Sequence, residues 1–568
     1  MIFCVESFTP VLSTEILDSC NFFELYPFDG GGAFVNRDLL GTIDDKLITE
    51  SIMHGGALDA FGSLEELDFL KFDRWSTIEQ ACWINRLYFI VPLARQAKLT
   101  GNRILAEYIK RVIFRFHKLY PPPADEAAVR ELNRSVLEAL ERDYNSCNAN
   151  FDAPISYQWF DFQPASRLLH ILYAVWFIKA LSVFDSEDYL QLDRMISEHA
   201  RVIYQASDFD AMPRKGNHDF LRSLALFTAG TLFANIPEAE KWRLKGFRCC
   251  EYHVLDDFLP DGMAYDKSPS YHFFESWIAR DFALRAASVD MPLCADAQER
   301  LNKAYDICRL LQLPDGMTPV ISDGYPLDMS VFMRTLPGDN AAEGEKLTVL
   351  PEAAMALRKN GGDFAFFDCS RCLSKFAHYH AGKQAVTLWF DSKSFVEEGG
   401  CCNYDDPAFA EFFKTAAAHA TLLIDDKGDS ELQGRYCWLS SGTPVLGSWQ
   451  NHTVESTMTA PQWGDTVWNR QLTVTDENVE IVDKISHNGN KKWSILFPLA
   501  PEVVIEKSGD KLLLCNDGVY IEFSSSAAVS CIESRCVRNF RIVSTSCLIL
   551  CGQGDAAIRN VFRKVSHF

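Results

Sequence analysis

Apolar residues recur at helical spacing through most of the first 340 residues, with short polar breaks between the periodic stretches. The stretch 79–99 carries this pattern and ends at Thr100-Gly101-Asn102, and 103–119 repeats it up to three consecutive prolines. Further helices are predicted at 127–144, 164–184, 192–206, 218–234, 238–258, 271–287 and 299–312. Helices joined by short connections predict antiparallel helix pairs stacked in an arc or ring.

The pattern changes after Pro337, where the polar, glycine-containing stretch 338–347 is typical of a linker. Strand-like segments follow at regular spacing from 364–369 to 541–551, and Asp-Gly and Asn-Gly turns separate several of them. They predict an antiparallel β-domain, built as a sandwich. The chain is therefore predicted to hold two domains, residues 1–340 and 341–568.

The composition is that of a globular protein and excludes several kinds of partner. Of the 568 residues, 48% are hydrophobic and 23% are charged. The 55 basic and 77 acidic residues give a net charge of −22, which argues against nucleic acid and against an anionic membrane surface. No apolar stretch reaches the roughly 18–20 residues of a membrane span.

The start of the chain and the cysteines bear on location. The first residues lack a basic segment, and Glu6 interrupts the place where a secretory signal would be apolar. The 18 cysteines are irregularly spaced, which favours reduced thiols over a disulfide framework. A cytoplasmic location is predicted, and a periplasmic one stays open if a signal has been removed.

A junction of two domains favours a ligand groove, and two polar clusters of the helical part are candidates to line it. Asn217-His218 precede an apolar run, where Asn is also a common helix N-cap and His218 a structural histidine. The loop that begins at Leu259 and ends on Tyr271-His272 is longer and more polar than a simple connection, although a Tyr there is also a common packing residue.

A third cluster lies at the start of the β-domain. His378 and His380 share one face if they lie on a strand, and Glu397 and His419 belong to neighbouring predicted strands. Two histidines and a carboxylate are a common ligand set for Zn²⁺. The interpretations are metal binding, catalysis or a solvated face of the sheet.

Together these clusters resemble the heparinase II/III superfamily of polysaccharide lyases over most of the chain. Three residues depart from its motifs, because Gly382, Glu397 and Ala420 stand where the superfamily has Asp, Asp and Asn. The segments that carry the resemblance are Tyr88–Phe116, Asn217-His218, Asp261-Gly262, Ser268-Pro-Ser-Tyr271-His272, His378-Tyr-His380-Ala, Phe395-Val-Glu397-Glu-Gly399 and His419-Ala-Thr421.

The resemblance implies an N-terminal α/α toroid, which is an incomplete barrel, followed by a C-terminal antiparallel β-sandwich that contributes histidines to the cleft. It also implies cleavage of uronic-acid glycans by β-elimination. Asn217 is expected to neutralise the substrate carboxylate, His218 and His378 are candidate bases, and Tyr271 is the acid, or both acid and base.

The resemblance also implies a metal site and a set of substrate contacts. His380, Glu397 and His419 are expected to hold a structural Zn²⁺ beside the cleft, and no organic cofactor is expected. An alternative for Trp159 and Arg167 is a packing cluster at a helix start. The predicted substrate-binding residues are Arg74, Arg86, Trp159, Gln163, Arg167, Lys267 and His272.

The predicted substrate is a glycosaminoglycan such as heparan sulfate, hyaluronan or chondroitin sulfate. The alternatives are a lyase of alginate or another polyuronate, a non-catalytic glycan-binding or capsule-related protein of the same fold, and a hydrolase that uses Asp261 and Asp323. Because an acidic protein must then bind an acidic polymer, the cleft is predicted to be locally cationic. The expected cations are Arg74, Arg86, Arg167, Arg214, Lys215 and Lys267.

Overall fold

The structure is a computed structural model. It describes residues 85–87, 90–146, 157–206, 216–233, 236–324, 329–338, 344–372, 378–402, 406–434, 437–508, 511–538 and 541–565. The predictions for Arg74, Arg214 and Lys215 lie outside these residues.

Helices occupy the described chain up to Thr335, and strands follow from Thr348. None of the described helices is long and apolar enough to cross a membrane. The helices are α1 Ile90–Thr100, α2 Arg103–Leu119, α3 Glu126–Ser146, α4 Gln163–Ile178, α5 Ser186–Ala206, α6 Asn217–Leu232, α7 Pro237–Asp256, α8 Pro269–Ser288, α9 Ala295–Leu311 and α10 Ser330–Thr335.

The pattern of burial shows how these helices are layered. In α2 the buried residues Leu105, Ile109, Val112 and Phe116 recur every three or four positions and form one stripe. In α4 every residue is buried, and most of α8 is buried as well. A helix that is buried on all sides lies inside a helical layer, so α4 and α8 are its inner members.

Antiparallel pairing joins the strands into three larger sheets and one hairpin. The first sheet has the order β1-β2-β3-β4-β5, the second β14-β15-β16-β19-β12-β11-β10-β9, the third β17-β18-β13-β6, and the hairpin is β7-β8. The strands are β1 Thr348–Leu350, β2 Met355–Asn360, β3 Asp363–Asp368, β4 Ala385–Phe390, β5 Lys393–Val396, β6 Leu422–Ile424, β7 Glu431–Gln433, β8 Cys437–Ser440, β9 Thr443–Gln450, β10 Thr453–Thr459, β11 Val467–Val474, β12 Asn478–Ser486, β13 Lys492–Pro498, β14 Val504–Ser508, β15 Lys511–Asn516, β16 Val519–Ser525, β17 Val529–Arg538, β18 Arg541–Gln553 and β19 Ala556–Lys564.

The first sheet is a middle layer that is buried on both faces. On β3, Phe364 and Phe366 belong to the hydrophobic core of the helices. Ala365 and Phe367, which point the other way because side chains alternate along a strand, belong to the core of the β-sandwich. The sheet therefore fixes the two domains against each other, and the predicted order of a helical domain followed by an antiparallel sandwich is confirmed.

A buried ion pair lies inside the sandwich. The fully buried Nε of Arg470 donates to Oδ1 of Asp483 at 2.7 Å, and its Nη1 donates to the carbonyls of Gln384 and Ala420 at 3.0 and 2.6 Å. The indole N–H of Trp468 also donates to Asp483, at 2.8 Å. One carboxylate thus satisfies donors from two residues of β11.

We expect Asp483→Ala to lower the free energy of unfolding by about 3–5 kcal/mol, because it leaves a buried guanidinium without its counter-ion. The measurement is urea unfolding followed by circular dichroism. Asp517→Ala is the control, since Asp517 is 77% exposed in its ion pair with Lys393. Equal stability of the two variants would contradict the expectation.

Candidate active site

The site lies where the start of α8 meets the connection between β3 and β4. Tyr271, in the first turn of α8, is 7% exposed. Its ring stacks on the imidazole of His378 with centroids 3.5 Å apart and planes at 15°. The two predicted catalytic residues, 107 positions apart in the sequence, are therefore in direct contact across the two domains.

Asp323 holds two histidines of this region at once. Its Oδ2 lies 3.1 Å from Nδ1 of His378, and its Oδ1 lies 2.8 Å from Nε2 of His380. Burial acts to raise the pKa of Asp323, but Lys414 and the two histidines outweigh it and keep the pKa well below its ordinary value. The carboxylate is therefore ionised and accepts from both rings, which leaves Nε2 of His378 as the basic nitrogen.

Asn217 and His218 are the first two residues of α6. Gly216, at φ +122°, is the N-cap, so the alternative interpretation of Asn217 as the cap is wrong. Asn217 is 5% exposed, whereas about half of the His218 side chain is exposed. Nδ1 of His218 lies 2.5 Å from Oδ2 of Asp161, and its ring packs on Phe162 with centroids 3.9 Å apart.

A second ionised carboxylate thus orients the second histidine. Burial acts to raise the pKa of Asp161, but the charges of His218, Arg222 and Arg86 and the hydrogen bond with His218 hold it well below its ordinary value. Because Asp161 accepts from Nδ1–H, the basic nitrogen of His218 is Nε2.

Asp266 is a carboxylate on which the charges of both histidines act. Burial raises the pKa of Asp266, while the nearby His378 and His218 both act to lower it. Glu275 lies one turn after Tyr271 on α8 and is 1% exposed. Burial, with Asp257 and Asp266 nearby, raises its pKa well above the ordinary value, which favours the neutral form of Glu275.

The predicted zinc ligands do not fit a shared metal. Arg538 holds the carboxylate of Glu397 through two hydrogen bonds of 2.5 Å. The carboxylate that pairs with Nδ1 of His419 is Glu398, and Nε2 of His419 contacts a backbone carbonyl. Nε2 of His380 is engaged by an aspartate. Within the part of the chain that the structure describes, no group of three His, Cys, Asp or Glu side chains is placed to hold a metal ion.

The departure from the superfamily motif at Gly382 has a steric cause. Gly382 has φ +95°, and a Cβ added to it would lie 2.5 Å from Cβ of His419. Its backbone N–H donates to Oδ1 of Asp429 at 2.6 Å, and Asp429 acts to raise the pKa of His419. A carboxylate from another loop thus lies near His419, where the motif would supply one in sequence.

Four of the predicted substrate-binding residues are core residues. Arg167 is fully buried, lies 4.7 Å from the ring of Trp159 and donates to His199 at 2.9 Å. Arg86, 3% exposed, donates to Gln163 at 2.6 Å. The packing-cluster alternative thus describes the contacts of Trp159 and Arg167, and substrate binding by Trp159, Gln163 and Arg167 stays a prediction. The charge of Arg86 also acts to lower the pKa of Asp161.

His272 is likewise a structural residue. It is fully buried, its Nδ1 accepts from the N–H of Ala264 at 3.1 Å, and its Nε2 donates to the carbonyl of Ala304 at 3.0 Å. Oδ2 of Asp261 accepts from the N–H groups of residues 352 and 353 at 2.9 and 2.8 Å. These bonds fix the loop before Tyr271 to α9 and to the β-domain, and substrate contact by His272 stays a prediction.

The loops around the site carry strained backbone. Asp161, Lys267 and Ser322 adopt positive φ angles of 53°, 55° and 59°, which non-glycine residues seldom do. Asp161 pairs with His218, and Ser322 directly precedes Asp323. Lys267 lies two residues before the first residue of α8. Such strain persists only where the surrounding structure imposes it, and it is common at functional sites.

Sequence reasoning missed the supporting carboxylates. Asp161 and Asp323 lie 57 and 55 positions from the histidines that they orient. Glu398 lies within the motif Phe395-Val-Glu397-Glu-Gly399 and Asp266 lies between Gly262 and Ser268, but neither carries a residue-type signal of its own. The residue that each carboxylate contacts depends on how distant loops pack, and no local sequence pattern predicts that packing.

Both halves of the chain match family models. Residues 68–343 match the heparinase II/III N-terminus, and residues 343–561 match the heparinase II/III-like C-terminal family. The chain therefore belongs to the heparinase II/III family, whose fold is a helical toroid that does not close into a barrel, followed by a β-sandwich.

Similar proteins are distant in sequence. A heparin-sulfate lyase of Bacteroides thetaiotaomicron is 22% identical over 286 residues, and one of Pedobacter heparinus is 20% identical over 258 residues. The matched parts span 42% and 41% of this chain and 40% and 39% of those proteins. A crystal structure of heparinase III has a TM-score of 0.71 at 14% identity, covering 98% of this chain and 89% of that one. This structural likeness concerns the fold.

The buried histidine predicts a loss of stability in acid. Burial lowers the pKa of His272 to about 4, so between pH 6.5 and 4 the unfolded chain binds a proton that the folded chain does not. Stability therefore falls as the pH falls, by about 3 kcal/mol for this group. We expect His272→Gln to reduce the difference in urea-unfolding free energy between pH 7 and pH 4.

The matched control is His452→Gln, a partly exposed histidine of the sandwich. Its pH difference should equal that of the wild type. If the difference in unfolding free energy between pH 7 and pH 4 were the same in His272→Gln as in the wild type, the pKa of His272 would not differ between the folded and the unfolded chain.

Proposed function

We propose that this protein is a polysaccharide lyase that cleaves uronic-acid glycans of the glycosaminoglycan type by β-elimination and leaves unsaturated uronate ends. The observation that carries the proposal is the stacking of Tyr271 on His378, with an ionised Asp323 behind the histidine. Family membership supports it, as do the two relatives named heparin-sulfate lyases.

β-Elimination makes three demands on a site. The C5 proton of the uronate must leave, negative charge that grows on the carboxylate must be stabilised, and the departing O4 must gain a proton. The electron pair of the C5–H bond forms the C4=C5 double bond as the C4–O4 bond breaks. The unsaturated product conjugates with the carboxylate and absorbs ultraviolet light.

The residues of the cleft fit these demands. The amide N–H₂ of Asn217 is a neutral donor for the uronate carboxylate, and its helix start adds a partial positive charge. The Tyr271 hydroxyl suits transfer of a proton to O4. Nε2 of His378 or of His218 is the base, since a carboxylate fixes the other nitrogen of each ring.

The alternatives have less support. Asp261 and Asp323, the acids that a hydrolase would need, are engaged by backbone N–H groups and by two histidines. A non-catalytic glycan binder would have no use for two histidines oriented in this way. Alginate and other polyuronates share the chemistry of the uronate, and a substrate panel separates them.

We expect Tyr271→Phe to reduce turnover by at least about 10²-fold, because it removes the proton donor and keeps the ring that stacks on His378. The measurement is the rise in ultraviolet absorbance with heparan sulfate, hyaluronan, chondroitin sulfates and alginate. Tyr252→Phe is the control, since the Tyr252 hydroxyl bonds Asp256 on α7. Turnover of a folded Tyr271→Phe at the wild-type rate would sink the proposed mechanism.

We expect Asp323→Asn to lower kcat by about 10²-fold with little change in KM, since the amide has no charge and only one acceptor oxygen for the two rings that Asp323 holds. Steady-state kinetics on the best substrate of the panel measure it. Asp429→Asn is the comparison variant, because Asp429 acts on His419 and not on His378 in the pairs described above. If Asp429→Asn lost more kcat than Asp323→Asn, His378 would not be the base.

A further inference from the structure

The ring of His218 packs on Phe162, and a buried arginine contacts the same phenyl ring. The centroids of the His218 and Phe162 rings lie 3.9 Å apart, and Cζ of Arg86 lies 4.1 Å from the centroid of Phe162. Cations are attracted to the face of an aromatic ring, because the π-electrons make that face negative. Arg86 is 3% exposed, whereas about half of the His218 side chain is exposed. Arg86 is therefore the buried partner of the ring that supports the histidine.

Three consecutive residues connect Arg86 with His218. Oδ2 of Asp161 lies 2.5 Å from Nδ1 of His218, and Phe162 contacts both side chains. Oε1 of Gln163 accepts a hydrogen bond from Nε of Arg86 at 2.6 Å. Asp161 has a φ of 53°, which a non-glycine residue keeps only where tertiary contacts impose it. The contacts of Arg86 with the two residues that follow Asp161 are such a constraint.

The backbone of Arg86 is itself anchored to α4. Nδ1 of His170 donates to the carbonyl of Arg86 at 2.9 Å, and Nη1 of Arg167 donates to the carbonyl of Asn85 at 2.9 Å. Both donors belong to side chains that are at most 3% exposed. Arg86 is thus fixed at its main chain and at its side chain, and its burial leaves little of it for a polymeric ligand to touch.

We infer that Arg86 is a positioning residue for His218 and acts on it through Phe162 and Asp161, in place of the predicted contact with the glycan. The inference rests on the proposed function, in which His218 is a candidate base. Proton removal from C5 requires Nε2 of the base to be held at a fixed distance and angle, and small displacements are costly. Asp161 fixes the tautomer of the ring, and packing on Phe162 fixes the plane of the ring.

The first test separates positioning from substrate contact by the steady-state kinetics of Arg86→Gln on the best substrate of the panel. We expect kcat to fall about 10-fold with KM little changed, because the variant loses an interaction that acts on the base and not on the bound glycan. A rise in KM with kcat unchanged would assign Arg86 to substrate binding and would overturn the inference, as would wild-type kinetics.

Arg95→Gln is the matched control, because Cζ of Arg95 lies 5.6 Å from the ring centroid of Phe177. Phe177 comes fourteen residues after Gln163 on α4, which is about 21 Å along the helix axis. The kcat and KM of Arg95→Gln should equal those of the wild type. A similar fall in kcat would show that losing any arginine–aromatic contact of α4 has this effect, which contradicts a specific role for Arg86.

Two further variants test the route through His218. In the His218→Ala background, Arg86→Gln should cause no further fall in kcat, because the residue that it positions is absent. Additive losses, or wild-type kcat in His218→Ala, overturn the inference. Phe162→Leu removes the shared ring and keeps Arg86, so its kcat should fall as in Arg86→Gln. It replaces Arg86→Gln if that variant does not fold, and wild-type kcat in folded Phe162→Leu counts against the inference.

A second test needs no turnover. In protein that is isotope-labelled at Cε1 of histidine, the ring current of Phe162 should shift the NMR signal of His218, which His218→Ala identifies among the 13 histidines. Arg86→Gln should move this signal, and Arg95→Gln should leave it in place. An unmoved signal in folded Arg86→Gln overturns the inference, also where His218→Ala has no measurable turnover.

The two proposals can fail separately. If wild type cleaves no glycan of the panel, the proposed function fails, and the NMR signal alone decides whether Arg86 orients His218. If wild type cleaves a glycan and Arg86→Gln matches it in kcat and in the His218 signal, only the inference about Arg86 fails.

Discussion

The burial of both faces of the first sheet is the constraint on which the site depends. Phe364 and Phe366 of β3 pack into the helical core while Ala365 and Phe367 pack into the sandwich. A shift of one residue would exchange the two sets, so both cores specify one register. His378 lies in the connection that leaves this sheet, and its position on Tyr271 follows from that register.

Within this frame, the site is organised by burying ionised carboxylates next to histidines. Asp161 and Asp323 each keep a pKa well below the ordinary value although burial opposes it, because each faces cationic or hydrogen-bonding partners. Glu275 is 1% exposed and has carboxylates for neighbours, and its pKa is raised well above the ordinary value. The surroundings of each carboxylate thus decide the direction of its pKa shift. Asp161 and Asp323 are ionised and orient histidines, whereas the shift of Glu275 favours its neutral form.

A net charge of −22 makes the cations near the site informative. Arg167, expected in the cleft, is a core residue that packs against Trp159 and His199. The charge of Lys414 acts on Asp323, and those of Arg222 and Arg86 act on Asp161. These cations help to keep the two carboxylates ionised although burial opposes it.

The sequence by itself determined the order of a helical and a β-rich domain, because periods of 3.6 and 2 are local properties of the chain. It also pointed to Asn217, His218, Tyr271 and His378, since unusual polar residues at helix starts and loops are visible in one dimension. Only the tertiary structure decided that Glu398 rather than Glu397 faces His419, and that His272 and Arg167 are buried. Which side chains meet depends on loops that are dozens of residues apart, and their contacts leave no periodic trace in the sequence.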